Sequence, residues 1–225
     1  PKHFTFENFQ KVNEYLNLKQ LFFNSILVSV SVTFIQLVTS SLAGYAFARL
    51  SFKFKNTIFL IYLVTMMIPM QVIIVPLFIE MKALGLIDTL TGLGLPMVAS
   101  AFGVFFMRQA MTAIPKEIEE AAWIDGASRV GTLIKVILPL ALPGIVTAFI
   151  FSFIAAWNEF VIALTLTSSP QHEPLTVGLT SLIGQYQVQW NYMFTGSLIG
   201  IIPVVILFAS IEKYLVGGLT AGSVK

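Results

Sequence analysis

Charge is absent from five long runs, residues 21–48, 57–79, 89–107, 136–158 and 191–211, and the acids and bases gather between them. A helix needs roughly 20 predominantly apolar residues to cross the hydrocarbon of a bilayer, so each run predicts a span. The third, interrupted by Gly92, Gly94, Pro96 and Gly103, is the weakest. Pro69, Pro76, Pro96, Pro143 and Pro203 fall in or near the runs. Each removes a backbone donor and predicts a kink, which suits a bundle that must rock, although proline is also an ordinary component of spans. Gly196 and Gly200 form a small-xxx-small pair and read as helix packing. Before the first run, Phe6, Phe9, Val12 and Leu16 recur at helical spacing between Glu7, Lys11, Glu14 and Lys19. This predicts an amphipathic helix at the membrane surface within residues 1–20, with a plain linker as the alternative. The pattern as a whole predicts an all-α, polytopic transmembrane helical bundle.

Composition sharpens that reading. The 225 residues are 56% hydrophobic and 11% charged, against about 25% charged in soluble domains, and the mean hydropathy is +0.86. A net charge of +2 with no basic patch argues against nucleic acid as a partner and leaves membrane lipid. The absence of cysteine removes disulfides, thiolate metal sites and cysteine nucleophiles. His3 and His172 are far apart, so no metal centre is expected.

Basic residues orient the spans. The 49–56 loop holds Arg49, Lys53 and Lys55 without an acid, and the 108–135 loop holds Arg108, Lys116, Arg129 and Lys135. Lys213 and Lys225 follow the last run, whereas the alternate loops hold only Lys82 or no base at all. The positive-inside rule therefore predicts a cytoplasmic 108–135 loop and an extracytoplasmic 1–20 segment, with Lys2, Lys11 and Lys19 a weak contrary signal. A chain that starts outside at Pro1 with no signal-peptide pattern predicts an earlier, sixth span.

The 108–135 stretch is the longest polar interruption. From Pro115 it predicts a short helix, with Glu117, Glu119 and Glu120 in the first turns, where acids complement the helix dipole. Ala121, Ala122 and Ile124 continue it and Gly126 predicts a stop. Ala127, Val130, Leu133 and Ile134 then restart an apolar periodicity toward Pro139. Small side chains at 121 and 122 permit close approach, and Glu120 offers a carboxylate to a partner's Arg or Lys. The residues alone allow either a docking helix or a solvated loop.

Glu120-Ala121-Ala122, three residues, Gly126, nine residues, then Val136-Ile137-Leu138-Pro139 resembles the EAA loop of bacterial ABC importer permeases, departing only by Val136 where Ile is usual. Phe6-Glu7-Asn8-Phe9, Trp157-Asn158-Glu159-Phe160 and the ending Gly218-Leu219-Thr220-Ala221-Gly222-Ser223-Val224-Lys225 resemble the carbohydrate subgroup, in particular smaller maltose-permease-like subunits. The resemblance implies a six-span subunit of a bacterial inner membrane, with the importer transmembrane domain over 21–225 and the cytoplasmic coupling loop at 108–139. It further implies a second, different permease, a cytoplasmic ATPase dimer carrying ATP and Mg, and an extracytoplasmic solute-binding protein that delivers a sugar. Carried over to this sequence, Glu117, Glu120, Ala121, Ala122, Asp125 and Gly126 form the ATPase dock. The chain should bind no cofactor itself: Gly217 and Gly222 have P-loop glycine spacing, but Ser223-Val224 replaces the required Lys and hydroxyl residue. The Gly-rich end is read as a flexible tail, with contact to the ATPases as the alternative.

Polar residues within spans are costly and are candidates for function. Gln36, Gln71, Asn158 and Glu159 are therefore candidates for the solute pathway, since a sugar needs amides, carboxylates and flat apolar faces. Against this, Gln36 has the alternative of a hydrogen bond within the bundle, Trp157 that of an interface anchor, and Glu159 that of a partner helix or outer water. The 168–190 loop and its aromatics Tyr186, Trp190 and Tyr192 read either as a receiving surface for the binding protein or as a membrane belt. Remaining alternatives are an importer of a non-sugar solute, an autonomous secondary transporter or channel, for which no inverted repeat is visible, and a membrane enzyme, for which clustered acids and His are lacking.

Overall fold

The computed structural model describes residues 6–184 and 188–221, with side chains described through Ser210. Among these residues the chain is helical apart from connecting loops and one isolated bridge between Ile183 and Val188. Tyr186 and the last four residues of the Gly-rich end lie outside the described residues.

Helix α1 (Glu7–Leu16) follows the predicted periodicity and ends where Asn17 turns left-handed, φ 48°. Val12 is its buried contact, Glu7 and Lys11 pair across one turn at 2.7 Å, and Phe6 stays 81% exposed. Helix α2 (Leu18–Arg49) and the Trp190–Ser210 part of α13 (Trp190–Ala221) are each long and apolar enough to cross a membrane.

The other three runs, where prolines predicted kinks, are broken into pairs of helices rather than merely kinked. The second is α3 (Lys55–Val64) with a tight turn to Met67, then α4 (Met70–Ala83). The third is α5 (Leu90–Gly94) with a turn to Met97, then α6 (Ala101–Thr112). The fourth breaks by 80° between the Arg129–Leu140 segment and α10 (Leu142–Trp157). Each pair counted as one span brings the total to as many as five. Proline sterics account for the first break: Ile68, ahead of Pro69, is extended at ψ 115° and leaves the helix. Pro76 and Pro203, in contrast, sit inside α4 and α13.

The chain clusters into two compact units. One comprises the residues up to Val32, Met70–Pro96 and Ile154–Ala209. Its core includes Leu21, Val28, Leu93, Leu175 and Leu182 with α11 (Val161–Leu166) and α12 (Leu175–Gly178). The fully buried Asn24 donates to the carbonyls of Gln171 at 2.9 Å and Glu173 at 2.8 Å, and Ser25 accepts from the Leu175 amide at 2.8 Å. Trp157 is buried too, an edge contact for Phe22 whose indole donates to the Gly200 carbonyl at 3.0 Å. Its expected alternative as an interface anchor therefore does not hold. Gly196 packs on Leu179 and Gly200 on Leu175, in keeping with the packing reading of that pair.

The other unit comprises Thr33–Pro69, Met97–Phe153 and the residues from Ser210 on. Tyr45, Met107, Met111, Ile114, Leu133, Ile137, Ala141 and Ala148 form its core. Gly44 lets α2 approach α6 closely, because a Cβ there would stand 2.6 Å from that of Met107. Arg108 covers the Phe59 ring at 4.3 Å and donates to the Phe47 carbonyl, so its charge is held without a carboxylate.

In the first unit, Asp88 accepts from the amides of Ser168 and Ser169 at 2.9 and 3.0 Å. These two amides, then the Ser169 hydroxyl and His172, hold its carboxyl well below the usual carboxylate range, outweighing the opposing effect of burial. A group so depressed stabilises the fold at all pH values above its unfolded pKa and loses that contribution only as pH falls through the lowered folded value. Protection of the Ser168 and Ser169 amides from hydrogen exchange should thus be constant from neutrality to about pH 4. Asp88→Ala should cut that protection by about tenfold, and equal protection in the variant would refute the tie.

Candidate functional site

The polar loop folds as two short helices about a glycine turn. Helix α7 (Lys116–Ile124) starts one residue later than the sequence suggested, since Pro115 is its N-cap, with φ −56° and ψ 139°. The helix ends in a Schellman arrangement: the Gly126 amide donates to the Trp123 carbonyl at 3.0 Å and the Ala127 amide to the Ala122 carbonyl at 2.9 Å. This closure requires Gly126 at φ +84°, a conformation in which a side chain is strained even though the space beside it is open. Ser128 then caps α8 (Arg129–Thr132) by accepting from the Gly131 amide at 3.1 Å. One π turn, Leu133–Ile137, and α9 (Leu138–Leu140) lead to the break at Ala141.

Of the predicted docking residues, Glu117, Glu120, Ala121, Asp125 and Gly126 are exposed and Ala122 is half-buried. The distribution of polarity on α7 is inverted for a helix resting on an apolar core. Its one buried residue is Glu119, at 3% exposure, while Ile124 is 86% and Trp123 42% exposed. Arg129 lies over the Trp123 ring at 6.0 Å. Neither Glu119 nor the apolar face was singled out by sequence. Three acids in four positions look alike until it is known which of them faces Arg49.

The in-span candidates fall in different places. Gln36, in the second unit, is buried and donates to the Met97 carbonyl, the intramolecular role weighed above as its alternative. Gln71, in the first unit, is exposed at the second position of α4. Asn158 is exposed, donates to the Ile154 carbonyl one turn back, and lines a cavity of about 300 Å³ with Trp157, Thr176 and Ser197. Its neighbour Glu159 turns elsewhere. Both of its carboxylate oxygens accept, from the Ile162 amide at 2.8 Å and the Ala163 amide at 2.9 Å, so it caps the first turn of α11. Among the described residues no three His, Cys, Asp or Glu side chains are grouped as a metal site.

A family model described as "Binding-protein-dependent transport system inner membrane component" matches residues 36–219. The arabinooligosaccharides transport system permease protein AraQ of Halalkalibacterium halodurans is 35% identical over 226 residues, which cover 100% of this chain and 81% of that protein. The sulfoquinovosyl glycerol transport system permease protein SmoH of Agrobacterium fabrum is 35% identical over 223 residues, 98% of this chain and 78% of that one. A crystal structure of a bacterial ABC transporter involved in the import of the acidic polysaccharide alginate superposes with a TM-score of 0.80 at 25% identity, covering 93% of this chain and 79% of the other.

If Glu159 is chiefly a cap, Glu159→Ala should destabilise the protein by about 0.5–2 kcal/mol, and Glu159→Gln, which keeps one accepting oxygen, should cost less. Thermal unfolding in detergent reads both. Equal stability of all three proteins would contradict the capping role.

Proposed function

The chain belongs to the family of binding-protein-dependent transport system inner membrane components, and on that footing we propose a division of labour within it. The protein is the permease subunit of an ABC importer. Its exposed α7 face seats a separate ATPase, and its solute is a carbohydrate. A solute-binding protein delivers the solute, a second and different permease completes the translocation path, and the partner ATPases hold ATP and Mg. Movement of α7 by the ATPases rocks the spans between two accessible states, so this chain supplies the path and the partners supply the energy.

One observation carries the docking assignment: α7 points Ile124 and Trp123 outward and the carboxylate of Glu119 inward. Leaving Ile124 in water forgoes about 1.5–3 kcal/mol that burial against a partner would recover. Glu117, Glu120 and Asp125 are exposed on the same short helix and its cap and are able to choose a basic rim on the partner. Support for a carbohydrate comes from AraQ and SmoH, whose names place arabinooligosaccharides and sulfoquinovosyl glycerol as their solutes. The cavity beside Asn158 joins the Trp157 indole and Asn158 amide to a mainly apolar lining of Leu175, Leu179, Ile201 and Val204, which gives flat apolar faces with a few polar groups.

The protein purified from native membranes should carry an ATPase with it. Ile124→Glu and Gly126→Asp should each lower the recovered ATP hydrolysis by at least about tenfold, at unchanged permease yield. An ATPase retained in full by both variants would refute the dock. ATP-driven uptake in vesicles supplied with the binding protein should be seen for labelled oligosaccharides and not for labelled methionine; the reverse preference would refute the solute class.

A further inference from the structure

Burial of Glu119 needs an explanation that an outward-facing dock does not supply. A carboxylate withdrawn from water is penalised by several kcal/mol unless it is neutralised and hydrogen-bonded where it sits. Here both conditions are met from α2. The Arg49 Nε lies 3.1 Å from Glu119 Oε2, with each side chain only 4% exposed, and the Tyr45 hydroxyl donates to Oε1. Tyr45 and Arg49 are four residues apart and so share one face at the end of α2. The Nε contact does not have hydrogen-bonding geometry, which makes it an ion pair. The same guanidinium also donates through Nη2 to the Ile114 carbonyl at 2.5 Å. Arg49 therefore holds two things at once: the carboxylate on α7, and the backbone of the elbow that joins α6 to α7.

That elbow is weak by itself. Pro115 has no N–H, and the ladder of α6 ends with the amides of Ala113 and Ile114 bonding back to Gln109 and Met111. On its far side α7 packs against α8 and the Leu133–Ile137 turn, but toward α6 a displacement applied to α7 would be absorbed by rotation at residues 113–115 unless something tied α7 to α2. We propose that Arg49, assisted by Tyr45, is a positioning residue for energy coupling: it clamps α7 to the end of α2, so that movement of the docked helix is delivered to the span. This inference rests on α7 being the ATPase dock.

The test uses the whole complex purified with its ATPases and placed in nanodiscs. The chain has no cysteine, so Leu42→Cys on α2 and Lys116→Cys on α7, both at exposed positions, can be spin-labelled as a pair. In the parent protein the label distance should be single and narrow, with and without ATP and vanadate. Arg49→Gln should broaden it. Nucleotide trapping with vanadate should change the maleimide reaction rate of Leu42→Cys alone in the parent, and Arg49→Gln should reduce that change by at least about fivefold. Co-purified ATPase and basal ATP hydrolysis should stay within about twofold, a split that simple loss of structure does not produce. Arg49→Lys should restore part of the response, and Arg49→Glu combined with Glu119→Arg should narrow the distance again relative to Arg49→Glu alone. An Arg49→Gln complex with bound ATPase, a narrow distance and a full vanadate response overturns the clamp while leaving the dock intact. A parent protein that recovers no ATPase overturns the dock and the coupling role together.

Discussion

Backbone groups removed from water must find partners inside the chain, and in a protein that is 56% hydrophobic this governs where polar side chains are spent. Several helix ends are closed by one of them. Thr89 accepts from the Gly92 amide at the start of α5, and Ser100 from the Gly103 amide at the start of α6. Glu159 accepts two amides at the start of α11. At the opposite polarity, Lys55 donates to the Leu50 carbonyl beyond α2, and Arg49 to that of Ile114 beyond α6. Broken spans become more tolerable where a loose end has such a fastener.

That economy explains why polarity within a span is an ambiguous signal. Gln36 and Glu159 were read as candidates for a pathway because intramembrane polar residues are costly. The same cost is met when such a residue satisfies backbone, as Gln36 does at Met97 and Glu159 does at α11. Sequence offers no way to separate the two uses, since the partner is a main-chain group that leaves no trace in residue identity. Asn158 differs in lining a cavity beside Trp157, although its amide also bonds back to Ile154.

The polar loop was legible for the opposite reason: its geometry is written in residues with singular backbone properties. Pro115 marks the entry to α7, Gly126 the left-handed stop, and Pro139 the approach to the next span. The spans themselves were legible as runs without charge, and the break at Pro69 only as a kink, because a proline marks where a helix is disturbed but not by how much. Glu119 was not legible. Its distinction from Glu117 and Glu120 comes from an arginine seventy positions earlier in the chain, a pairing that local periodicity does not encode.

The hydrogen bonds of Asn24 also set a timetable. Its two carbonyl partners lie 147 and 149 residues further along the chain. At roughly 5–20 residues per second of synthesis, α2 is made some 7–30 s before they exist. Throughout that interval the Asn24 Oδ1 can accept from Gln20 Nε2, one turn away at 2.9 Å, but its Nδ2 lacks both of its native acceptors. Biogenesis of this protein therefore includes a waiting period in which the helix carrying Asn24 is incompletely satisfied, and the translocation machinery, lipid headgroups or water must shelter it until residues 171–173 arrive.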